Sequence, residues 1–446
     1  MEAADLIARV ESEGVEFINL HFTDILGTLK AVTVPTRALG EACRRGVWFD
    51  GSSIEGFARI HESDMVLRPD LSTYAVLPWG PRQARLICDV CQPDGSPFPG
   101  DPRQVLRQGL ERIAVRGLTY YVGPELEFFL FRRNGEPRSD GAHLHPVPHD
   151  VVGYFDFSPK DLASEVRADI MRALAQMGMQ PETAHHECAA AQHEIDIRYT
   201  DALSAADNVM SVRQAVKAVA ANYDLYATFM PKPIFGAAGS GMHVHQSFFE
   251  KADRNVFFDE RSRYQLSPLA LHFIAGQLAH ARALAAVVAP TVNSYKRLTP
   301  GYEAPVYVCW ARINRSALIR VPSPSPGRPQ STRVELRCPD GTANPYLALA
   351  AMLAAGLDGI ERKLEPPEPV EENVYQFEDL QLEQRHIVRL PGSLSEALDA
   401  LEQDEVVLKA LGEHAAQALV RAKRAEWEDY RSRVSDWELE RYLETT

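Results

Sequence analysis

The sequence predicts a chain of two domains, a small and mostly β domain followed by a larger domain of mixed helices and strands. Residues 15–90 are rich in short segments of β-branched and aromatic residues. These segments lie at residues 15–22, 29–34, 74–77 and 84–90. Residues 93–102 hold four prolines and two glycines, so this turn-forming stretch marks the best boundary between the domains.

The pattern beyond this boundary alternates between helix and strand. Residues 101–116 predict a helix, with Pro102 suited to its first turn. Further helices are predicted at residues 159–177 and 205–223, buried helices at 269–290 and 347–357, and a charged helical region over 402–446. Strands are predicted at residues 120–132, 228–235, 242–249 and 332–337.

The composition limits the classes of function. Among 446 residues, 47 Lys and Arg stand against 61 Asp and Glu, and the net charge of −14 disfavours a nucleic-acid partner, which needs a basic face. The six cysteines are scattered, so no disulfide framework is expected. The N-terminus has no basic region followed by an apolar run, so no signal peptide is predicted. Neither of the two buried helical segments has the pattern of a membrane span. We therefore expect a cytoplasmic protein without a membrane segment.

Two glutamates in the strand predicted at residues 120–132 give the first indication of a metal site. Residues i and i+2 of a strand share a face, so Glu125 and Glu127 project side by side from an aromatic, apolar run. Two ionised carboxylates held that close repel one another, and a divalent cation would remove the penalty. Taken alone, such a pair is more often the solvated face of a strand.

Further acidic residues and histidines on strand-like segments favour a metal site over a solvated strand face. They are His185, His186, Glu187, Glu194, Asp196, His243, His245 and Glu335. A ligand set dominated by carboxylates, with few imidazoles, favours Mg²⁺ or Mn²⁺ over zinc. Five glutamates are too many for one cation and suit two, and two cations suit phosphoryl transfer because they neutralise phosphate oxygens.

Arginines are frequent in residues 296–337 and supply positive charge opposite to that of the glutamates. Arg315 and Arg320 stand within an apolar stretch, which disfavours a merely solvated basic face. Their planar guanidinium groups suit carboxylates and phosphates. The sequence has no G-x-x-x-x-G-K-[ST] motif, so a nucleotide site of the P-loop kind is excluded.

Six short motifs lie in a fixed order along the chain. They are residues 49–57 (FDGSSIEGF), 62–65 (ESDM), 230–233 (MPKP), 239–243 (GSGMH), 293–305 (NSYKRLTPGYEAP) and 344–347 (NPYL). Their order and spacing resemble the type I (bacterial) glutamine synthetase family, in which the fifth motif is a mobile flap over the active site. The match spans nearly the whole chain without a large insertion, as in the short subclass that lacks the adenylylation-type insertion.

The resemblance implies an α+β protein, with a β-grasp domain at residues 14–98 and a catalytic domain at residues 104–446 that has an antiparallel sheet and flanking helices. It implies a homo-dodecamer of two hexameric rings, with each active site shared between neighbouring subunits. The implied reaction joins ammonia to the γ-carboxyl group of L-glutamate through γ-glutamyl phosphate. ATP supplies the phosphoryl group, and two to three Mg²⁺ or Mn²⁺ ions serve each site.

The same resemblance implies the roles of individual residues. The implied metal ligands are Glu127, Glu187 and Glu194 for one ion and Glu125, His243 and Glu335 for another. The implied ATP-binding residues are Glu182, Tyr199, His245, Ser247, Arg315, Arg320 and Arg333. The implied glutamate-binding residues are Gly239, Arg297, Glu303 and Arg337. The implied catalytic residues are Glu303, Arg315 and Asp50, the last supplied by a neighbouring subunit.

Two single positions and the segment at residues 310–315 depart from the family pattern and leave alternatives open. Ala191 stands where glycine is usual, and Ala238 stands where asparagine is usual. Because the second position lies near glutamate, the acceptor stays open between ammonium and a larger amine, such as a polyamine or ethanolamine. A non-catalytic scaffold of the same fold would tend to lose metal ligands, and a metal-dependent guanidino kinase would lack the surroundings of Asp50 and Glu303.

Overall fold

The computed structural model describes residues 2–56, 64–133, 146–251 and 253–445. Residue 57 and residues 62–63, which belong to the N-terminal motifs, lie outside these ranges. The described residues form two sheets, and most of the helices pack around the second sheet.

The N-terminal sheet has five described strands, as the predicted β-rich segments require. They are β1 (Phe17–Thr23), β2 (Leu29–Pro35), β3 (Val47–Asp50), β4 (Asp64–Val76) and β5 (Gln83–Cys91). The order is β2-β1-β5-β4-β3, with β1 and β5 parallel and the other pairs antiparallel. Helices α1 (Ala3–Ser12) and α2 (Leu39–Arg45), which the sequence pattern did not predict, cover its apolar core. This is the arrangement expected of a β-grasp domain.

The second sheet carries the functional residues and is built around the long strand β6. Its described strands are β6 (Leu118–Arg132), β7 (Pro181–His186), β8 (Gln192–Ile197), β9 (Thr200–Asp201), β10 (Leu225–Thr228), β11 (Met242–Glu250), β12 (Arg254–Asn255), β13 (Tyr307–Ala311), β14 (Ala317–Arg320) and β15 (Val334–Leu336). The main order is β13-β14-β15-β11-β6-β8-β7, while β9 and β10 also pair with β6 and β12 pairs with β11. Every pair is antiparallel except β13 with β14.

Twelve described helices follow the N-terminal sheet. They are α3 (Pro102–Ala114), α4 (Ser164–Gln176), α5 (Ala202–Ala221), α6 (Pro268–Ala279), α7 (Ala281–Val288), α8 (Ser294–Arg297), α9 (Pro345–Arg362), α10 (Asp379–Gln384), α11 (Leu394–Glu402), α12 (Glu405–Leu411), α13 (Glu413–Arg431) and α14 (Asp436–Tyr442). Among them, α3, α4, α5 and α6 contact strands of the second sheet. The predicted start of α3 is confirmed, because Asp101 accepts the Arg103 N–H and Pro102 follows it. Helix α9 is apolar almost all round and lies in the centre of the core.

Two predicted elements differ in extent. The strand predicted at residues 228–235 lies instead at Leu225–Thr228, and it does not continue beyond Thr228 because Pro231 and Pro233 have no N–H for a ladder. The helix predicted at residues 269–290 is broken into α6 and α7, which are bent by 76° at His280. Within the described residues, no single helix is long and apolar enough to cross a membrane, and the bent pair is mostly buried.

A buried arginine joins the N-terminal sheet to the helical layer of the second domain. Arg103 on α3 donates to Asp89 on β5 at 2.6 Å and to Asp70 on β4 at 2.8 Å. It also donates to both carboxylate oxygens of Asp207 on α5, at 3.0 and 2.9 Å, and Asp207 accepts the Tyr346 hydroxyl at 2.7 Å. The guanidinium therefore holds carboxylates of the N-terminal sheet and of the helical layer in one cluster.

Candidate active site

The register of the second sheet gathers predicted polar residues on one face, around the middle of β6. Residues directly opposite each other in an antiparallel pair share a face. His243 on β11 lies opposite Glu125, and Glu194 on β8 lies opposite Glu127. Because Glu125 and Glu127 also share a face along β6, the three strands bring these four side chains to one surface.

Two of these side chains, Glu125 and His243, form a first carboxylate set together with Glu335. One ligand atom from each lies within 4.8 Å of the others. The His243 Nδ1 atom is 3.3 Å from a Glu125 oxygen and 3.7 Å from a Glu335 oxygen. Glu335 reaches the set because β15 places it opposite His245, whose Nε2 donates to Glu125 at 2.6 Å. These are the three residues that the family resemblance assigned to one ion.

A second carboxylate set consists of His185, Glu187 and Glu194, again with ligand atoms within 4.8 Å of one another. His185 Nε2 is 3.0 Å from Glu187 and 3.9 Å from Glu194. The resemblance implied Glu127 in place of His185, but Glu127 has an oxygen 3.9 Å from His243 Nε2 and so faces both sets. The sequence analysis named His185 without assigning it to an ion, and its i, i+2 spacing from Glu187 is the signal that relates the two residues.

The electrostatics of the two sets differ. In the second set, burial and neighbouring carboxylates raise the pKa of Glu194 to about 11, and burial also raises the pKa of the adjacent Glu127. In the first set burial acts in the same direction, but His245 and the other basic side chains outweigh it and lower the pKa values of Glu125 and Glu335. The second set therefore holds more negative charge than its surroundings neutralise, and carboxylate and imidazole donors of this kind fit Mg²⁺ or Mn²⁺.

A cleft of about 320 Å³ opens beside the first carboxylate set. It is lined by five of the residues that the resemblance assigned to ATP, namely Glu182, Tyr199, His245, Ser247 and Arg333. Residues that the sequence did not single out also line it, among them Tyr121, Gln246, Ser325, Gln330 and Ser331. Tyr121, Gly123 and Glu125 alternate along β6, so the strand periodicity that located Glu125 also points to Tyr121.

The arginines near Glu335 differ in the hydrogen bonds that they make. Arg337 Nε donates to Glu335 at 3.2 Å, whereas the buried Arg337 Nη1 has no hydrogen-bond partner in the described part of the chain. A buried guanidinium nitrogen without an acceptor is suited to an anionic ligand. Arg320 also pairs with Glu335. Arg297 is 3% exposed and donates to the main-chain carbonyl groups of residues 337–339, so much of its donor capacity fixes that segment.

The remaining predicted residues lie on loops or on the other sheet. Gly239 is packed so closely that a Cβ there would lie 2.3 Å from the Pro231 carbonyl oxygen. Glu303 is exposed in the flap segment with φ of 57°, and Arg315 is exposed in the connection between β13 and β14. Asp50 ends β3, at the edge of the N-terminal sheet, where it accepts the Ser52 N–H at 2.8 Å. The structure therefore does not place Asp50 on the sheet that carries both carboxylate sets.

Comparison with known proteins identifies the family. Residues 14–93 match the model of the glutamine synthetase β-grasp domain, and residues 99–442 match that of the glutamine synthetase catalytic domain. The chain belongs to the glutamine synthetase family. It is 51% identical over 451 residues to a glutamine synthetase from Thermus thermophilus, with 99% of both chains covered. It is 50% identical to one from Halobacterium salinarum, covering 98% of this chain and 95% of the relative.

Solved structures of related proteins agree with this glutamine synthetase fold. A GmaS–ADP complex superimposes with a TM-score of 0.87 at 37% identity, covering 98% of this chain and 99% of that one. A glutamine synthetase from Plasmodium falciparum superimposes with a TM-score of 0.89 at 26% identity, with 99% of both chains covered. The α+β architecture with an N-terminal β-grasp domain, predicted from the resemblance, is confirmed.

Proposed function

We propose that this chain is a glutamate–ammonia ligase in which the two carboxylate sets and the adjacent cleft form one phosphoryl-transfer site. The observation that carries the proposal is the strand register, which brings Glu125, His243 and Glu335 together beside a cleft lined by the expected ATP residues. Curated glutamine synthetases that are about half identical over the full length support the same reaction. The bound ADP of the related GmaS complex supports a nucleotide in the cleft.

In this proposal two to three Mg²⁺ or Mn²⁺ ions are held by the two carboxylate sets and by Glu127. Bound cations would offset the negative charge of the phosphate oxygens. The cleft residues orient ATP, with His245 and Arg333 nearest the first set, where Arg333 Nε lies 3.2 Å from His245 Nδ1. Arg315 and Arg320 stabilise the charge of the phosphoryl group in transfer.

The chemistry has two steps. A γ-carboxylate oxygen of glutamate, positioned by Arg337 with Arg297 and Gly239, attacks the γ-phosphorus of ATP, which gives γ-glutamyl phosphate and ADP. Ammonia, formed when ammonium loses a proton to Asp50 or Glu303, then attacks the acyl carbon and expels phosphate. The flap that carries Glu303 excludes water, which would otherwise hydrolyse the acyl phosphate.

The position of Asp50 on a different sheet supports a site shared between subunits. Asp50 lies at the edge strand β3, from which it can reach the site of a neighbouring copy. We accordingly propose the homo-dodecamer of two hexameric rings, with domains at residues 14–98 and 104–446. We also propose a cytoplasmic location, consistent with six cysteines that are all free thiols.

Phosphate release tests the choice of acceptor. The intact enzyme is supplied with ATP, glutamate and Mg²⁺, and ammonium is compared with putrescine, spermine and ethanolamine, with a reaction lacking any amine as the blank. We expect the highest kcat/KM with ammonium. A higher kcat/KM with any larger amine would replace the proposal by a γ-glutamyl-amine ligase of the same fold.

Two variants connect that activity to the site. Glu335→Gln keeps the shape of a buried side chain but removes a charge from the first carboxylate set, and we expect loss of phosphate release. Glu250→Gln is the matched control, because Glu250 lies at the far end of β11 and pairs with the exposed Arg254. Activity that survives in Glu335→Gln at the level of the control would separate the reaction from this site.

A further inference from the structure

A buried carboxylate supports the turn that joins β7 to β8. The Asp150 Oδ1 atom accepts the His186 Nε2–H at 2.8 Å and the main-chain N–H of Ala191 at 3.1 Å. His186 Nδ1 in turn donates to the carbonyl oxygen of Glu187 at 2.6 Å. One oxygen of Asp150 therefore holds both ends of the turn. At one end, His186 connects this oxygen to the main chain of Glu187.

The turn contains a residue in an unfavourable conformation. Ala191 is fully buried and has φ of 59°, in the left-handed region where the Cβ of an L-residue crowds the backbone. Its main chain is fixed on both sides, by Asp150 at the N–H and by the Leu130 N–H, which donates to its carbonyl at 2.9 Å. Such a conformation persists only where several surrounding contacts hold it in place.

Hydrogen bonds connect this turn to two of the candidate metal-binding glutamates. Gln192 follows Ala191 directly, and its side-chain amide donates to Glu127 at 3.0 Å while its side-chain oxygen accepts the Ala189 N–H at 3.0 Å. The Glu187 N–H donates to the Gln192 carbonyl oxygen at 2.7 Å, which closes the turn. A shift of the main chain at Ala191 would therefore disturb the hydrogen bonds that Gln192 makes to Glu127 and to Glu187.

We propose that Asp150 is a positioning residue for the second carboxylate set. It holds the strained turn at Ala191, so that Glu187 and Glu194 meet at the spacing that a divalent cation needs. The proposal rests on the proposed role of these glutamates as metal ligands. Asp150 itself touches neither the substrate nor, in this assignment, the cation.

Mn²⁺ binding to the intact enzyme tests this role, measured by calorimetry with thermal unfolding recorded in parallel. We expect Asp150→Ala to weaken Mn²⁺ binding about tenfold or more, as for other groups that orient metal ligands. Adding Ala191→Gly to Asp150→Ala should recover most of the affinity, because glycine adopts positive φ without the Cβ penalty. Asp156→Ala is the matched control, since its carboxylate accepts the Gly153 N–H in the same segment, and it should bind Mn²⁺ like the parent.

Asp150→Asn covers the case in which Asp150→Ala does not fold, because it keeps one acceptor oxygen for the Ala191 N–H. We then expect an intermediate loss of Mn²⁺ affinity that Ala191→Gly again reduces. Parental affinity in both Asp150 variants, or no recovery on adding Ala191→Gly, would overturn the proposal. Glu187→Gln distinguishes a wrong metal assignment from a wrong positioning role for Asp150. Unchanged Mn²⁺ binding in that variant refutes the metal assignment itself, whereas weakened binding there with none lost in Asp150→Ala refutes only the positioning role.

Discussion

Removal of the Arg103 guanidinium should destabilise the joint between the N-terminal sheet and the catalytic domain. The Arg103 side chain is 3% exposed and contacts three carboxylates, of which Asp207 is 8% exposed. Arg103→Met keeps most of the side-chain length but leaves the Asp207 charge buried without a cation. Breaking a buried pair in this way costs about 3–5 kcal/mol. The carboxylates of Asp70 and Asp89 are about a quarter exposed, so water screens them and they add little.

Arg107→Met is the matched control, because Arg107 lies one turn further along α3 and also reaches Asp89, at 3.2 Å. Its side chain is 33% exposed, so its loss should cost no more than about 1 kcal/mol. Urea unfolding followed by tryptophan fluorescence at one protein concentration gives both values. Adding Asp207→Asn to Arg103→Met should recover part of the loss, because it removes the stranded charge. Equal costs for the two arginine variants, or no recovery with Asp207→Asn, would refute the reasoning.

Three further predictions concern the site, the assembly and the dependence of stability on pH. Glu187→Gln should raise the Mg²⁺ concentration needed for half-maximal activity by about tenfold or more while the fold is retained, and an unchanged requirement would remove Glu187 from the site. Inactive Asp50→Ala subunits mixed with inactive Glu335→Ala subunits should regain some activity, and no recovery in demonstrably mixed assemblies would indicate self-contained sites. Burial and the Arg85 guanidinium lower the pKa of His21 to about 3, so the stability that neutral His21 contributes is present above pH of about 6.5 and is lost as the pH falls towards 3. Between pH 6.5 and 4.5, the free energy of unfolding of His21→Gln should therefore fall by about 2–3 kcal/mol less than that of the parent. If the two proteins lose the same free energy of unfolding over this range, His21 is not the group responsible.

Much of the fold follows from local patterns in the sequence. Alternation of polar and apolar residues located β6 and β11, because a strand repeats every two residues whatever it packs against. The Asp-Pro pair before α3 located the start of that helix, because capping is a local hydrogen bond. Helices α1 and α2 were missed because they are short, with 10 and 7 residues, so their stability depends on packing against the N-terminal core.

The sequence by itself determined the family and the kinds of side chain at the site, because both are properties of residue type and order along the chain. Only the tertiary structure decided which of these side chains lie close together. His185 joined Glu187 and Glu194, and Glu127 came to face both sets, through the register of β7, β8 and β11. Register depends on turns and packing between segments far apart in sequence, which no local pattern contains. The left-handed turn at Ala191 and its support by Asp150 have the same origin, since a residue far along the chain holds that conformation in place.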